Sequence, residues 1–153
     1  MSLDAYLDSI PNFAKDIRIN LGNVLKQTEL TPVQLWGTAV ACAITTRNHA
    51  TIRAMETIEA ARTASALMGM NNVYYRFLHL LEGDRYSHIP ARLRMQGLRT
   101  HGGDQTDFEL WCTAVSAMNN CQACVASHEK VVRDKGLTED HVAAAVRIAA
   151  VIN

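Results

Sequence analysis

Two thiols and an imidazole lie close together in this chain: Cys121-Gln122-Ala123-Cys124, with His128 four positions further on. Asn119-Asn120 precede them, and with Asn120 as a helix cap, Cys121 falls in the first turn and Cys124 at the start of the second. Side chains three and four apart share a helix face, so Cys121, Cys124 and His128 line one edge. The positive end of the helix dipole favours a thiolate there, and an imidazole one turn on can take or give a proton. Thiols at i and i+3 can also close a disulfide with modest adjustment of the first turn. The set holds a nucleophilic sulfur, a resolving sulfur and a base. Reversible dithiol–disulfide chemistry needs little else.

The same residues admit other uses. A CxxC can be half of a zinc site, but structural zinc takes four closed ligands, and the chain has no second CxxC and no HxxxH. Cys121, Cys124 and His128 with Glu109 could make a catalytic zinc site, and the two thiols could simply pack as small hydrophobes. Redox chemistry is the preferred reading. Glu109 is harder: in Thr106-Asp107-Phe108-Glu109 it stands third in a capping box, its plainer role, while its functional role would be to relay a proton with His128. Cys42 and Cys112 read as core thiols, and His49, His79, His88, His101 and His141 have no ligand-like spacing. Met68-Gly69-Met70 and Tyr74-Tyr75 read as core or subunit contact, with an aromatic substrate pocket as the alternative. Arg92, Arg94 and Arg99 read as a solvated helix face.

The elements that must position these groups are helices. Hairpin turns are absent between the apolar stretches, which are Ala-rich with helical spacing. Thr31-Pro32-Val33-Gln34 is a capping box with Pro at the first helical position, and Thr106 to Glu109 reads as a second. Thr138 caps Glu139 and Asp140, and Gly136 is a helix stop; Pro90 and Gly102-Gly103 mark other breaks. The spacing predicts helices at about 12–21, 32–46, 51–67, 70–82, 90–99, 107–118, 121–134 and 139–152, with a short one at 3–9. The fold class is all-α, in a single domain over 1–153.

One segment echoes another. Gln34-Leu-Trp-Gly-Thr-Ala-Val-Ala-Cys-Ala43 matches Glu109-Leu-Trp-Cys-Thr-Ala-Val-Ser-Ala-Met118 at five of ten positions, 75 residues apart. This predicts a duplicated helical unit, its first copy at about 31–82 and its second at about 106–153. Only the second copy carries a CxxC, so chemistry belongs to the second half.

Composition narrows the class further. A chain of 153 residues, 48% hydrophobic and 20% charged, buries a sizeable core and is not disordered. Fifteen Lys and Arg balance fifteen Asp and Glu, so nothing draws in nucleic acid or an anionic membrane, and copies repel little. The longest interval without a formal charge, Leu110 to Ser127, is interrupted by Asn119, Asn120 and Gln122, so it is not a membrane span. The N-terminus lacks the pattern of a secretory signal, which makes the cytoplasm the expected compartment. Four cysteines there are expected to be free thiols, metal ligands or redox groups.

The ordered set Phe13-Ala-Lys-Asp-Ile17, Gln34-Leu-Trp-Gly-Thr38, Met68-Gly-Met-Asn-Asn-Val-Tyr74, Phe108-Glu-Leu-Trp111, Ala114-Val-Ser-Ala117 and Cys121-x-x-Cys124-x-x-x-His128-Glu129 resembles the alkyl hydroperoxide reductase D family, within the carboxymuconolactone decarboxylase-like superfamily. The resemblance runs the whole chain. It implies an all-helical duplicated fold assembled as homotrimers or rings of trimers such as hexamers. It implies a lipoyl-dependent peroxidase that holds no bound cofactor and takes electrons from dihydrolipoyl groups of a lipoylated 2-oxo-acid dehydrogenase component. It also implies reduction of a partner peroxiredoxin, alkyl hydroperoxide reductase C. By position, Cys124 resembles the sulfur oxidised to sulfenic acid, and Cys121 the proton donor and resolving thiol that closes a Cys121–Cys124 disulfide. Glu109 and His128 resemble the proton relay. The chain departs from the family at Ala123, where members often carry His, and relatives typically continue beyond Val151-Ile152-Asn153 with a further helical segment. A superfamily lyase, a general protein disulfide reductase, a zinc enzyme and a non-enzymatic adaptor are the alternatives.

Overall fold

A computed structural model describes residues 2–47, 51–52 and 58–153. Among these the regular elements are helices, in the order α1 (Leu3–Ser9), a 3-10 turn (Asn12–Ala14), α2 (Lys15–Val24), α3 (Pro32–Thr45), α4 (Glu59–Leu80), α5 (Gly97–Thr100), α6 (Gln105–Met118), α7 (Gln122–Asp134) and α8 (Glu139–Ile152). The all-α class holds, and no described helix is long and apolar enough to cross a membrane. The expected His49 and part of the expected helix over 51–67 lie outside the described residues.

The bundle is built around α6, which packs against α3, α4, α7 and α8. Phe108, Leu110, Trp111 and Val115 of α6 are fully buried, against Ala39 and Ala43 of α3, Ala64 and Met68 of α4, and Ala145 and Ile148 of α8. Small residues on α3, α4 and α8 let the helices approach α6 closely and give its aromatic rings room. The approach is tightest where α3 crosses α6. A methyl group on Gly37 would lie 2.2 Å from Cε2 of the Trp111 ring. The indole N–H donates to the Gln34 carbonyl at 3.3 Å, and the Gln34 amide donates to Asp107 Oδ1 at 2.9 Å, so polar bonds close the same seam. The two Leu-Trp segments thus lie in α3 and α6, against each other.

The capping box at Thr31 forms as the sequence predicts, with Gln34 N–H donating to the Thr31 hydroxyl and Thr31 N–H donating to Gln34 Oε1. Thr138 starts α8 with His141 as its reciprocal partner, and Gly136 stops α7 at a φ of 92°.

Four expectations need correction. Helix α6 starts two residues early, because the Asp104 carboxylate accepts from the N–H groups of both Thr106 (2.8 Å) and Asp107 (3.0 Å). A charged cap serving two donors outcompetes a Thr hydroxyl, so Thr106 becomes helical and the capping box expected at Thr106–Glu109 does not form. The two helices expected over 51–67 and 70–82 are continuous from Glu59 to Leu80. Gly69 costs about 1 kcal/mol there, less than the burial of Met68, Ala64 and Ala61 on the same helix secures. Residues 91–96 are not helical: the chain runs irregularly, with Arg92 in the left-handed region at a φ of 52°, and Ala91, Leu93 and Met95 are half-buried while Arg92, Arg94 and Gln96 are exposed. Only Gly97–Thr100 is helical in that stretch. Finally, the helix expected from residue 12 begins its α-turns at Lys15, after the 3-10 turn.

Replacing Asp104 by Ala removes both cap bonds and should cost about 1 kcal/mol, seen as a Tm lower by roughly 2–4 °C in thermal unfolding. An unchanged Tm would mean that Thr106 takes over the cap.

Candidate active site

The dithiol sits where α6 hands over to α7. Helix α6 ends at Met118, and Asn119, Asn120 and Cys121 donate their N–H groups back to the carbonyls of Val115, Ala117 and Ser116. Asn120 has a φ of 52°, the left-handed conformation that Asn tolerates better than most residues. It therefore forms the turn, and Cys121, not Asn120, is the cap of α7. Helix α4 braces this turn: Arg76 donates to the Asn119 carbonyl at 2.8 Å, and Asn119 Nδ2 donates to Asn72 Oδ1 at 2.9 Å. Asn72 in turn donates to the Ser116 hydroxyl at 3.0 Å.

Cys121 and Cys124 are joined as a disulfide, their Cα atoms 5.3 Å apart. Their surroundings differ. Cys124 opens on a cleft of about 330 Å³ that it shares with His128, Ala123 and Ser127 of α7, Asn71 and Tyr75 of α4, and Met95 and Leu98 from the segment before α6. Cys121 is fully buried beneath a separate recess bordered by Ala117, Asn120, Gln122 and Glu129. The thiol pair therefore presents one sulfur to the cleft and keeps the other behind it.

His128 and Glu109 meet as the functional reading of Glu109 requires. His128 Nδ1 lies 2.5 Å from Glu109 Oε2, with both side chains largely buried. The early start of α6 releases Glu109 from any capping duty, so its carboxylate is free to reach across to α7. Burial pushes the Glu109 carboxyl up, but the hydrogen bond and charge of His128 and the hydrogen bond of the Gln105 amide outweigh it. The carboxyl lies below its ordinary value of 4.5. It is ionised at neutral pH and holds the protonated Nδ1 of the imidazole. All four predicted site residues are thus in one place.

Cys42 and Cys112 are buried free thiols, as the sequence predicts. Burial pushes both up, and the Glu109 carboxylate adds to the effect at Cys112, so neither ionises in the folded protein. Among the described residues no group of three or more His, Cys, Asp and Glu side chains is arranged to hold a metal ion.

Sequence reasoning reached Tyr75 only as its second choice, an aromatic substrate pocket, and missed Met95, Leu98 and Gln105. Met95 and Leu98 carry no chemical signature and come from a segment far from the CxxC in sequence. Asn71 stands within Met68–Tyr74 with no chemical role of its own in the sequence, yet it lies in the cleft wall, and its Oδ1 is buried without a hydrogen-bond partner. Gln105 had one usable signal, its place one turn before Glu109 on the same helix.

The model of the carboxymuconolactone decarboxylase family matches residues 84–153, the half that holds the site. Over the whole chain, the sequence is 51% identical to "Alkyl hydroperoxide reductase AhpD" of Solibacter usitatus (strain Ellin6076), covering 92% of that protein. It is 54% identical to the protein of the same name from Acidobacterium capsulatum, covering 90%, and 46% identical to that of Gluconacetobacter diazotrophicus, again covering 90%. With identity at this level along its entire length, the chain belongs to the alkyl hydroperoxide reductase AhpD family.

Proposed function

We propose that this chain is a lipoyl-dependent alkyl hydroperoxidase acting through the Cys121–Cys124 dithiol. One observation carries the reading: Cys124 opens on the same cleft as His128, with ionised Glu109 bonded behind the imidazole and Cys121 within bonding reach of Cys124. His128, anchored by Glu109, draws the proton from Cys124. The thiolate attacks the terminal oxygen of the hydroperoxide. The O–O bond breaks, an S–O bond forms, and Cys121 gives its proton to the departing alkoxide, releasing an alcohol. Sulfur is oxidised by two electrons and the peroxide reduced by two. The Cys121 thiolate then attacks the sulfenic sulfur, and the hydroxyl leaves as water with the proton held at His128. A disulfide remains.

Dihydrolipoyl groups of a lipoylated 2-oxo-acid dehydrogenase component restore the dithiol by two exchange steps, ending as the cyclic lipoyl disulfide. The reduced pair also attacks the disulfide of a peroxiredoxin partner, alkyl hydroperoxide reductase C. The cleft suits a small organic hydroperoxide: Tyr75, Met95, Leu98 and Ala123 supply apolar walls, and among the described residues no Lys or Arg lines it. Ala123 in place of the family's His leaves His128 as the cleft's imidazole. The protein is further proposed to be a cytoplasmic homotrimer, for which the exposed Val73, Phe77 and Leu80 along one face of α4 offer subunit contact. The Leu-Trp helices α3 and α6 are proposed to descend from one duplicated unit.

The test is a thiol count by intact mass before and after one equivalent of cumene hydroperoxide, then after dihydrolipoamide. Two thiols, mapped to Cys121 and Cys124, should disappear and return. Four unchanged thiols in folded protein would overturn the reading in favour of a lyase or adaptor.

A further inference from the structure

Glu109 serves His128 through one oxygen only. Its other oxygen, Oε1, accepts from Gln105 Nε2 at 2.7 Å, one turn earlier on α6. The Gln105 amide is itself held. His101 Nδ1 accepts from the Gly103 N–H at 3.2 Å, so the neutral ring carries its proton on Nε2. That Nε2 lies 3.0 Å from Gln105 Oε1. The imidazole is stacked on Phe108, ring centres 3.8 Å apart and planes within 11°. A donor at His101 turns the oxygen of the Gln105 amide toward it and therefore the NH₂ toward Glu109. The Leu98 carbonyl is a second acceptor for that NH₂ at 3.4 Å.

Each donor in this chain meets one acceptor, in a single direction from Gly103 through His101 and Gln105 to Glu109. His128 approaches Glu109 from the other side. An amide N–H is too weak an acid to pass its proton on, so proton transfer stops at Glu109. What Gln105 can do is hold Oε1 so that Oε2 faces His128.

We infer that Gln105 is a positioning residue for the Glu109–His128 pair, and that His101 sets the orientation of its amide. The inference rests on the dithiol reading above for the identity of the oxidant, but not for the geometry. The ionisable groups that act on Glu109 are His128 from α7, His101 from the segment before α6 and Cys112 on its own helix, with Tyr75 of α4 across the cleft beyond His128.

Gln105→Met keeps length and volume and removes all three side-chain hydrogen bonds, whereas Gln105→Glu sets a second carboxylate against Oε1 with no proton to share. Two readouts apply to the full reduced chain: the pH profile of Cys124 alkylation by iodoacetamide, and kcat and KM for cumene hydroperoxide with dihydrolipoamide. Gln105→Met should lower kcat about tenfold with KM within about twofold, since the substrate contacts stay and the relay loosens. The acidic limb of its alkylation profile should move to higher pH, because Glu109 loses a donor that favours its charge. Gln105→Glu should lose more than Gln105→Met. His101→Phe, which keeps the stack on Phe108, should shift the limb in the same direction by less.

A parental alkylation profile in Gln105→Met, or parental kcat in Gln105→Glu, would overturn the inference. So would a loss in Gln105→Met matched by a collapse of its melting transition. If the parent chain itself turns over no hydroperoxide, the proposed activity fails; the alkylation profile still decides the role of Gln105, a shifted limb supporting it and an unshifted limb ending it.

Discussion

With Ser in place of Cys124, oxidation of the reduced protein by cumene hydroperoxide falls to the uncatalysed background, a loss of at least about a thousandfold. The reason is chemical before it is structural. A serine hydroxyl is neither ionised by a neutral imidazole nor able to take oxygen from a peroxide, while its size and hydrogen bonding leave the cleft and the Glu109–His128 pair in place. The companion variant gives the contrast. Cys121→Ser removes the buried partner but leaves the sulfur on the cleft, so Cys124 should gain one oxygen atom as a sulfenic acid and stop there. Intact mass after one equivalent of peroxide reads both outcomes. Disulfide-independent turnover in Cys124→Ser, or sulfenic acid mapped to Cys121 in the parent, would reverse the assignment of roles.

The second large effect lies away from the chemistry. Gly37→Ala should lower stability by about 3 kcal/mol or more, in the upper range for overpacking, against which the better helix propensity of Ala returns about 1. The added methyl meets Trp111 Cε2, Cζ2 and Nε1 at 2.2, 2.3 and 2.5 Å. These are atoms of a rigid, fully buried ring whose N–H is already bonded to the Gln34 carbonyl, so the ring cannot swing aside. The helices α3 and α6 must part instead. Tm should fall by roughly 5–10 °C, and the relay should suffer too, because Glu109 and Gln105 ride on α6. A Tm within a degree of the parent would mean that the seam is looser than its geometry implies.

How much of this the residues disclosed beforehand follows from how local each cause is. The Thr31 box, the Gly136 stop and the CxxC-to-His128 spacing are written within a few positions, and all three are where the sequence puts them. Asp104 against Thr106 is a contest between two competent caps, decided by a carboxylate that reaches two N–H groups at once. Pro90 and the arginine spacing fit a helix start, whereas residues 91–96 run irregularly with Arg92 left-handed, and only Gly97–Thr100 is helical. Continuity through Gly69 depends on what Met68 packs against, which no local window contains. The site divides in the same way. Cys121, Cys124 and His128 share one helix and declare themselves, whereas Glu109 needs α6 beside α7 before its carboxylate means anything. Tyr75, Met95 and Asn71 become neighbours of Cys124 only through the tertiary fold.

The two silent thiols have a use of their own. Cys42 sits in α3 and Cys112 in α6, on the two helices that meet at Gly37 and Trp111, and neither reacts while the core is closed. A thiol-directed dye added in excess will label the reduced dithiol first, and then these two only through transient openings of the core. With reclosing fast relative to labelling, that slow phase gives the free energy of local opening directly. The chain thus carries an unengineered gauge of its own core fluctuations, and Gly37→Ala should make it run faster.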